Sequence, residues 1–368
     1  MSTVQIFNQG VNNLLDRQAD VTKTQEQLAS GKRIMDASED PAGTARVMGI
    51  TSDLARIDTF QRNTDNLQGQ LAMEEGSLQS IINDLQRVRE LTVQANNATM
   101  SAADRRSIGS QISGILDSLV DRANTQDSSG EYIFAGFQAG SQPFARTATG
   151  VTYSGDDGER FLKVANSMQI QSRDSGSAVF MSAPAGNGSF DYRGAVGNTG
   201  NAVVTATSAA SNYVPETYTL AFIQANATDP VTYTVTGDAS GQVATGNYAE
   251  GAAITFANGE IRLEGTPVHG DTFTITSAPK QDVFTTVKDL TDSFSGAAET
   301  TAGNARVHNE ASRGLVNLDN AIEHLLTVQS DVGSRMRRAE LQSETNEVFN
   351  LQLEETLSKL QDIDYAEA

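Results

Sequence analysis

The sequence predicts an α+β protein: a long-helix antiparallel bundle, built from both chain ends, with an inserted β-rich domain. Three observations lead to this prediction. Apolar residues recur at heptad spacing through residues 2–97 and again through 315–360. Six of the seven prolines and 16 of the 22 aromatic residues fall between Gly130 and Lys280. Within that middle part, alternation replaces the heptads, which is typical of half-buried strands.

The first predicted helix covers residues 2–30 and carries a thin apolar stripe. Gln18 and Gln25 occupy the second heptad position, so polar side chains interrupt the stripe. A helix of this kind is marginal alone and is expected to become ordered when it docks on a partner. The sequence therefore predicts a docking seam made of Val4, Phe7, Val11, Leu14, Val21 and Leu28.

The second predicted helix has a well-defined start. Asp40 is suited to the N-cap and Pro41 to the first helical position. The helical pattern then continues without proline to about Asn97, and its heptad rows include Leu71, Leu78 and Leu85. We expect these leucines to form one side of the bundle core.

A third helix is predicted after the break at 96–99. Ser101 followed by Asp104 resembles a capping box, and apolar residues at helical spacing extend the pattern to about Asp127.

The middle of the chain is predicted to consist of strands. Alternating patterns cover Thr217–Ile223, Val231–Val235 and Thr272–Thr276. Ile254–Leu263 has the pattern of a β-hairpin with an Asn-Gly turn at Asn258 and Gly259.

Helix resumes at Val283 and, after a Ser/Gly/Ala/Thr linker at 295–303, a long helix is predicted from about Asn304 to Leu360. Its seam is expected to pack on the 41–97 and 102–127 helices, with a weaker polar section at Ser343, Asn346 and Asn350. The apolar seam positions are Leu315, Leu318, Ile322, Leu325, Val332, Met336, Leu353, Leu357 and Leu360.

The same patterns predict three regions. Residues 1–40 form an N-terminal docking helix with its linker, and 41–175 together with 281–368 form the helical core with a β-hairpin segment. Residues 176–280 form the inserted β-rich domain.

Composition excludes several classes of function. The chain has 368 residues, a formal charge of −20 and no cysteine. An acidic surface argues against nucleic acid or an anionic membrane as the partner. The N-terminus lacks the pattern of a Sec signal peptide, and no apolar run is long enough for a bilayer, so membrane insertion is not expected.

The search for chemistry gives no catalytic, cofactor-binding or metal site. His269, His308 and His324 are scattered and have no metal-ligand spacing. The run Asp156-Asp157-Gly158-Glu159 lacks the spacing of a calcium loop, so a turn is the better interpretation. The sequence therefore predicts that the protein is not an enzyme and needs no cofactor. A surface-displayed carbohydrate-binding protein stays open as an alternative, although its carboxylates show no pairing.

Three stretches carry a resemblance to a known family. Leu28 to Ile34, running into Ser38–Gly43, resembles the N-terminal signature of bacterial flagellins and flagellin-like axial proteins. Residues Val332–Glu340 and Leu360–Glu367 resemble the C-terminal counterpart. The segment Gly130–Gly136 is similar to the hook–filament junction branch of that family rather than to filament flagellin.

The resemblance implies a structural, self-assembling role in the bacterial flagellum. It implies export through the flagellar type III apparatus, with an export chaperone, and assembly into a ring at the hook–filament junction. It also implies that residues 1–40, with the seam defined above, are the assembly and export helix, kept disordered for export and ordered on assembly. The implied neighbours are hook-associated protein 1 on the hook side and flagellin on the filament side. Filament flagellin itself stays open as the alternative within the family, and a helical signalling or adhesin stalk is a further one.

One departure from the family pattern bears on the first helix. Family members continue past the Asp364–Glu367 region with a further amphipathic helix beside the N-terminal one, whereas this sequence stops at Ala368. We therefore expect residues 2–30 to lack an intramolecular partner, and to be mobile or to use a neighbour's surface.

Overall fold

The structure, a computed structural model, describes residues 3–226, 228–278 and 280–363, with side chains from Phe7 onward. Long helices occupy both ends of this part of the chain and strands occupy its middle, so the predicted α+β architecture is confirmed. The helices are α1 (Thr3–Ser30), α2 (Pro41–Ala95), α3 (Ala102–Ala123), α4 (Gly176–Phe180), α5 (Val283–Ser295) and α6 (Thr301–Gln361). No helix within the described ranges is long and apolar enough to cross a membrane.

The strands lie between α3 and α5. They are β1 (Phe144–Thr147), β2 (Gly150–Tyr153), β3 (Arg160–Lys163), β4 (Gln169–Arg173), β5 (Ala183–Pro184), β6 (Phe190–Gly194), β7 (Val203–Ala209), β8 (Tyr218–Ile223), β9 (Thr232–Gly237), β10 (Gly241–Asn247), β11 (Ala253–Phe256), β12 (Gly259–Glu264), β13 (Thr272–Ser277) and β14 (Lys280–Gln281).

The chain divides into two compact units. One contains the residues up to Gly69, Phe161–Ile170 and the residues from Met336 onward. The other contains Gln70–Arg160 and Gln171–Arg335. Helices α2 and α6 each contribute residues to both units.

Within each unit, α2 and α6 run antiparallel. In the larger unit, Gln329 donates to Gln79 (3.1 Å). Ten residues further along α2, Arg89 pairs with Asp319 (2.6 Å), which lies ten residues earlier on α6. In the smaller unit, Asn350 donates to Asp58 and Gln61 donates to Ser343. The predicted antiparallel pairing of the two chain ends is therefore present.

The helix starts follow the sequence signals. Asp40 accepts a hydrogen bond from the Gly43 N–H (2.8 Å), and α2 begins at Pro41 as predicted. Ser101 is the N-cap of α3, where its hydroxyl accepts from the Asp104 N–H. The end of α3 was predicted near Asp127, but the helix ends at Ala123, because the Asn124 side chain bonds the backbone of Phe144 instead of continuing the helix.

A β-sandwich forms the inserted part of the larger unit. Its sheets are β10-β9-β8-β13-β6 and β11-β12-β7, and every pairing in them is antiparallel. The inward-facing side chains of the two sheets form one apolar core. Its largest members include Phe190, Tyr218, Leu220, Phe222, Phe256, Ile261, Leu263, Phe273 and Ile275.

The β11–β12 hairpin is present, but its turn differs from the prediction. The two turn residues with positive φ are Ala257 (45°) and Asn258 (65°), and Gly259 is the first residue of β12. Gly259 lies against Tyr213 and Phe256, where a Cβ would come within 3.1 and 3.2 Å of their rings. Packing of these aromatic rings therefore assigns the glycine to the strand and moves the turn one residue earlier.

A buried ion cluster connects the sandwich to the helices of the same unit. The Arg313 side chain of α6 is only 3% exposed. It lies 2.8 Å from the Asp289 carboxylate of α5 and 3.7 Å from the Asp191 carboxylate of β6. Burial raises the pKa of Asp191 and of Glu310, which also faces Arg313. Such a cluster is costly to desolvate, so each charge depends on its partners.

Candidate assembly surface

The apolar stripe of α1 is exposed to solvent. Phe7 and Leu14 are each 71% exposed, Val21 is 57% exposed, and Val11 and Leu28 are each 41% exposed. The side chain of Val4 lies outside the described residues. Large apolar side chains that recur every seven residues on one helix face, without cover, mark an interaction surface rather than incidental exposure.

The end of α1 is tied to the end of α6. The Arg33 N–H donates to the Gln361 carbonyl (2.7 Å), and the Ile363 N–H donates to the Gly31 carbonyl (3.1 Å). The Arg33 guanidinium also donates to the Leu360 carbonyl (2.8 Å), where a cation satisfies a free carbonyl at a helix C-terminus. Asp364–Glu367, the rest of the C-terminal signature, lies outside the described residues. The N-terminal and C-terminal signatures are both visible in the sequence, but nothing in the sequence indicates that they are in contact.

The segment between α1 and α2 is held by further contacts within its own unit. Gly31 has φ of 70° and its N–H donates to the Gln27 carbonyl, which closes α1 in a left-handed cap. Ile34 is buried, and a Cβ on Gly43 would come within 2.8 Å of its side chain. Lys23 pairs with Glu39 (3.1 Å) and this contact lowers the pKa of Glu39. The linker is thus a structured junction.

The predicted core seam has a different environment from the α1 stripe. Leu71, Leu78 and Leu85 of α2 are each fully buried. On α6, Leu318, Leu325 and Val332 are fully buried, while the alternate positions Leu315, Ile322 and Met336 are half-buried. Further along α6, the seam positions Leu353, Leu357 and Leu360 are half-buried.

The polar section of the α6 seam is partly explained by specific bonds. Asn346 is 3% exposed and donates to the Val164 carbonyl (3.2 Å). Ser343 accepts from Gln61, and Asn350 donates to Asp58. These polar residues therefore bind polar groups that the helix meets there.

The α2 seam contains a buried carboxylate, that of Glu74, to which the sequence analysis assigned no role. Glu74 is 1% exposed and accepts from the Asp174 N–H (3.2 Å), while its second oxygen has no partner within the described residues. Burial and the neighbouring Asp174 charge raise the pKa of Glu74 well above its ordinary value. Arg335 pairs with Asp174 and opposes that shift. A glutamate in an apolar heptad row was the only signal in the sequence.

The residues considered above as metal ligands or as a calcium loop make hydrogen bonds within the fold. His324 contacts the Ala178 carbonyl (2.9 Å) and His269 accepts from the Gln224 N–H (3.2 Å). Asp156 accepts from the N–H groups of Phe137 and Gly158, so it fixes a loop. No group of three or more potential metal ligands occurs among the residues that the structure describes.

Comparisons with known proteins agree with these observations. Residues 1–139 match the family model for the bacterial flagellin N-terminal helical region. Flagellar hook-associated protein 3 of Escherichia coli (strain K12) is 31% identical over 144 residues, which are 39% of this chain and 45% of that protein. The chain therefore spans about half the length of the curated relatives it matches.

A solved structure extends the similarity to most of the chain. The crystal structure of flagellar hook-associated protein 3 from Legionella pneumophila is 32% identical, with a TM-score of 0.79. The match covers 85% of this chain and 98% of that one.

The relatives also decide between the alternatives. Phase 1 flagellin of Salmonella naestved is 39% identical over 115 residues, but these cover only 23% of its length, so filament flagellin is not favoured. The matched proteins are flagellar structural proteins, which confirms the prediction that the chain is not an enzyme. The extended match to the Legionella structure, together with the helical termini and central strands, shows that the chain belongs to the flagellar hook-associated protein 3 (FlgL) family.

Proposed function

We propose that the protein is an adaptor at the hook–filament junction of the bacterial flagellum, which self-assembles into a ring and supports growth of the flagellin filament. The exposed apolar stripe of α1 is the observation that carries this proposal. Burying the exposed part of each of its large side chains would contribute about 1–2 kcal/mol, which the chain does not gain alone. Contacts between copies and with neighbouring flagellar proteins supply that burial.

The proposal places hook-associated protein 1 on the hook side of the ring and flagellin on the filament side. It includes export through the flagellar type III apparatus with an export chaperone, and an extracellular location at the junction. The proposal keeps the predicted three-region division, in which residues 1–40 serve assembly and export, 41–175 with 281–368 form the helical core, and 176–280 form the inserted β-rich domain.

Deletion of the encoding gene followed by electron microscopy tests the role. We expect hooks without filaments and flagellin lost to the medium, because filament growth would lack its junction. Normal filaments on the deletion strain would reject the junction role.

A pair of variants then tests the α1 stripe. Leu14→Glu places a charge in the stripe, and Asn12→Glu places the same charge on the opposite helix face, two residues away. We expect plasmid-borne Asn12→Glu to restore filaments and Leu14→Glu to fail, with both proteins secreted at equal levels. Restoration by both variants would contradict an assembly role for the stripe.

A further inference from the structure

Strand β7 is an open edge of the β-sandwich. It is the outer strand of the sheet β11-β12-β7 and pairs only with β12 within the described residues. Its sequence, Val-Val-Thr-Ala-Thr-Ser-Ala, contains no charge and no proline. Natural edge strands are usually protected by such residues. The one protective feature here is a bulge, which falls between Val204 and Ala206.

The hairpin register shows which groups of β12 face β7. Phe256 and Gly259 close the hairpin around its two-residue turn, so hydrogen-bonding groups of β12 point alternately to β11 and to β7. The Leu263 carbonyl accepts from the Gly251 N–H, on the β11 side. The Arg262 carbonyl accepts from the Thr205 hydroxyl, on the β7 side.

The same register shows that the backbone groups of Thr207 and Ala209 in β7 point outward. Ala206 and Ser208 stand opposite Arg262 and Glu260, whose groups face β7. By alternation, the N–H and C=O groups of Thr207 and Ala209 point away from β12. These outward backbone groups have no partner within the described residues.

At the start of this edge, a side-chain amide already forms hydrogen bonds with the outward backbone groups. The buried Asn309 side chain of α6 accepts from the Val204 N–H (2.8 Å) and donates to the Ala202 carbonyl (3.0 Å). Its amide thus occupies the place of a peptide unit from a neighbouring strand. Beyond Asn309, no described residue places such a group at the corresponding position along Thr207.

A groove of about 490 Å³ follows the edge at this point. One wall is β7 from Val204 to Thr207, and α6 contributes His308, Ser312 and Val316, which are four residues apart on one helix face. Val316 is 45% exposed. Burial and the nearby Arg105 lower the pKa of His308, which favours the neutral form of this ring. The groove walls just named are therefore uncharged.

We infer that the β7 edge pairs with an extended, uncharged strand of a second copy of this chain, which occupies the groove as a fourth strand of the sheet. Free backbone groups along a strand edge are matched by an extended peptide, which can bond them as an added strand. The chain carries a net charge of −20, so copies repel one another, and a contact between two uncharged surfaces keeps like charges apart. Strands of that composition exist on the chain, since β7 and β10 contain no charged residue. The inference rests on the self-assembly in the proposed function and names a second contact for it.

Amide hydrogen exchange on the full chain at low and high protein concentration tests the pairing. We expect the amides of Thr207 and Ala209 to exchange at least about tenfold more slowly in the associated sample, because both become hydrogen-bonded. Equal exchange rates at the two concentrations, in a sample that sedimentation shows to associate, would overturn the inference.

Proline substitutions provide a matched pair of variants. Thr207→Pro removes an N–H that points into the groove, whereas Ser208→Pro removes one that bonds β12. We expect Thr207→Pro to keep the wild-type unfolding midpoint and lose the concentration-dependent protection at Ala209, and Ser208→Pro to unfold more easily. Ala206→Lys, which adds a charge at the exposed edge without removing any N–H, is expected to weaken association as well.

The outcome for the edge is separable from that for α1. If Leu14→Glu abolishes association while Thr207→Pro and Ala206→Lys associate like the wild type, the proposed function stands and the edge pairing is wrong. If Leu14→Glu and the two edge variants all associate like the wild type, both are wrong.

Discussion

Helix α1 and the second half of α2 carry the same heptad spacing but have opposite environments. Leu71, Leu78 and Leu85 are fully buried within their unit, whereas Leu14 and Val21 of α1 are more than half exposed. The second heptad row explains part of the difference. In α2 it contains Leu67, Ile81 and Val88, all buried, while in α1 the corresponding row holds Gln18 and Gln25. A heptad pattern therefore predicts a helix with a seam, and the width of the seam indicates whether the chain can cover it alone.

The largest expected effect comes from shortening a buried member of the α2 seam. Leu78→Ala leaves a cavity in a fully buried site, so we expect a loss of about 2–5 kcal/mol in the free energy of unfolding, measured by urea denaturation. Leu14→Ala is the matched control on α1 and should change that free energy by about 0.5 kcal/mol or less. Equal losses for the two leucines would remove the distinction between the seams.

A smaller and opposite effect is expected at Glu74. Its raised pKa means that the folded protein holds the proton more tightly than the unfolded chain does. The associated stability is therefore present below the ordinary pKa of 4.5 and is lost as pH rises through the raised value. Glu74→Gln removes the charge, so we expect this variant to be about 1–3 kcal/mol more stable than wild type at pH 7.

Urea denaturation at pH 4 and pH 7 checks this sign, because the advantage of Glu74→Gln should shrink at pH 4, where wild-type Glu74 is protonated. A gain of the same size at both pH values would show that the titration of Glu74 is not its source. Asp319→Asn is the control for loss of an exposed carboxylate on the facing helix, and we expect little change from it.

The smallest expected effect lies where α1 meets the end of α6. Arg33→Ala removes the guanidinium bond to the Leu360 carbonyl, which is worth about 0.5–1 kcal/mol at an exposed helix end. We expect faster amide exchange at Ile363 and an unchanged global unfolding midpoint. Lys32→Ala, which removes a neighbouring charge without that bond, should leave the exchange at Ile363 unchanged. Unchanged exchange in Arg33→Ala would show that the backbone pairing alone holds this junction.

Much of the helical fold could be predicted because its signals are local. Asp40 and Pro41 mark the start of α2, and the apolar periods of α2, α5 and α6 can be counted in the sequence. The strands β8, β9 and β13 were predicted from alternation and β11 and β12 from their turn, whereas a β-hairpin was expected within 41–175 without bounds and β5 to β7 were not predicted individually. Several of those strands are short or irregular, and β7 has a bulge that breaks its alternation. Long-range pairing, rather than local preference, decides such strands.

The candidate assembly surface could also be predicted only in part. Heptad spacing gave the stripe at Phe7, Leu14, Val21 and Leu28, and its polar second row indicated that the chain cannot bury this stripe alone. The contact of Arg33 with Leu360 joins residues 327 positions apart, so no local pattern can indicate it.

The sequence by itself determined that both chain ends are long helices, that a β-rich domain separates them and that the first helix has too thin a seam to be buried alone. These properties follow from the period of apolar residues, which is written along the chain. The tertiary structure alone decided that Arg33 caps α6, that Glu74 is buried beside Asp174 and that β7 is left as an uncharged edge. Each of these depends on which distant segments meet, and the free energy of such contacts comes from packing and desolvation in the folded chain.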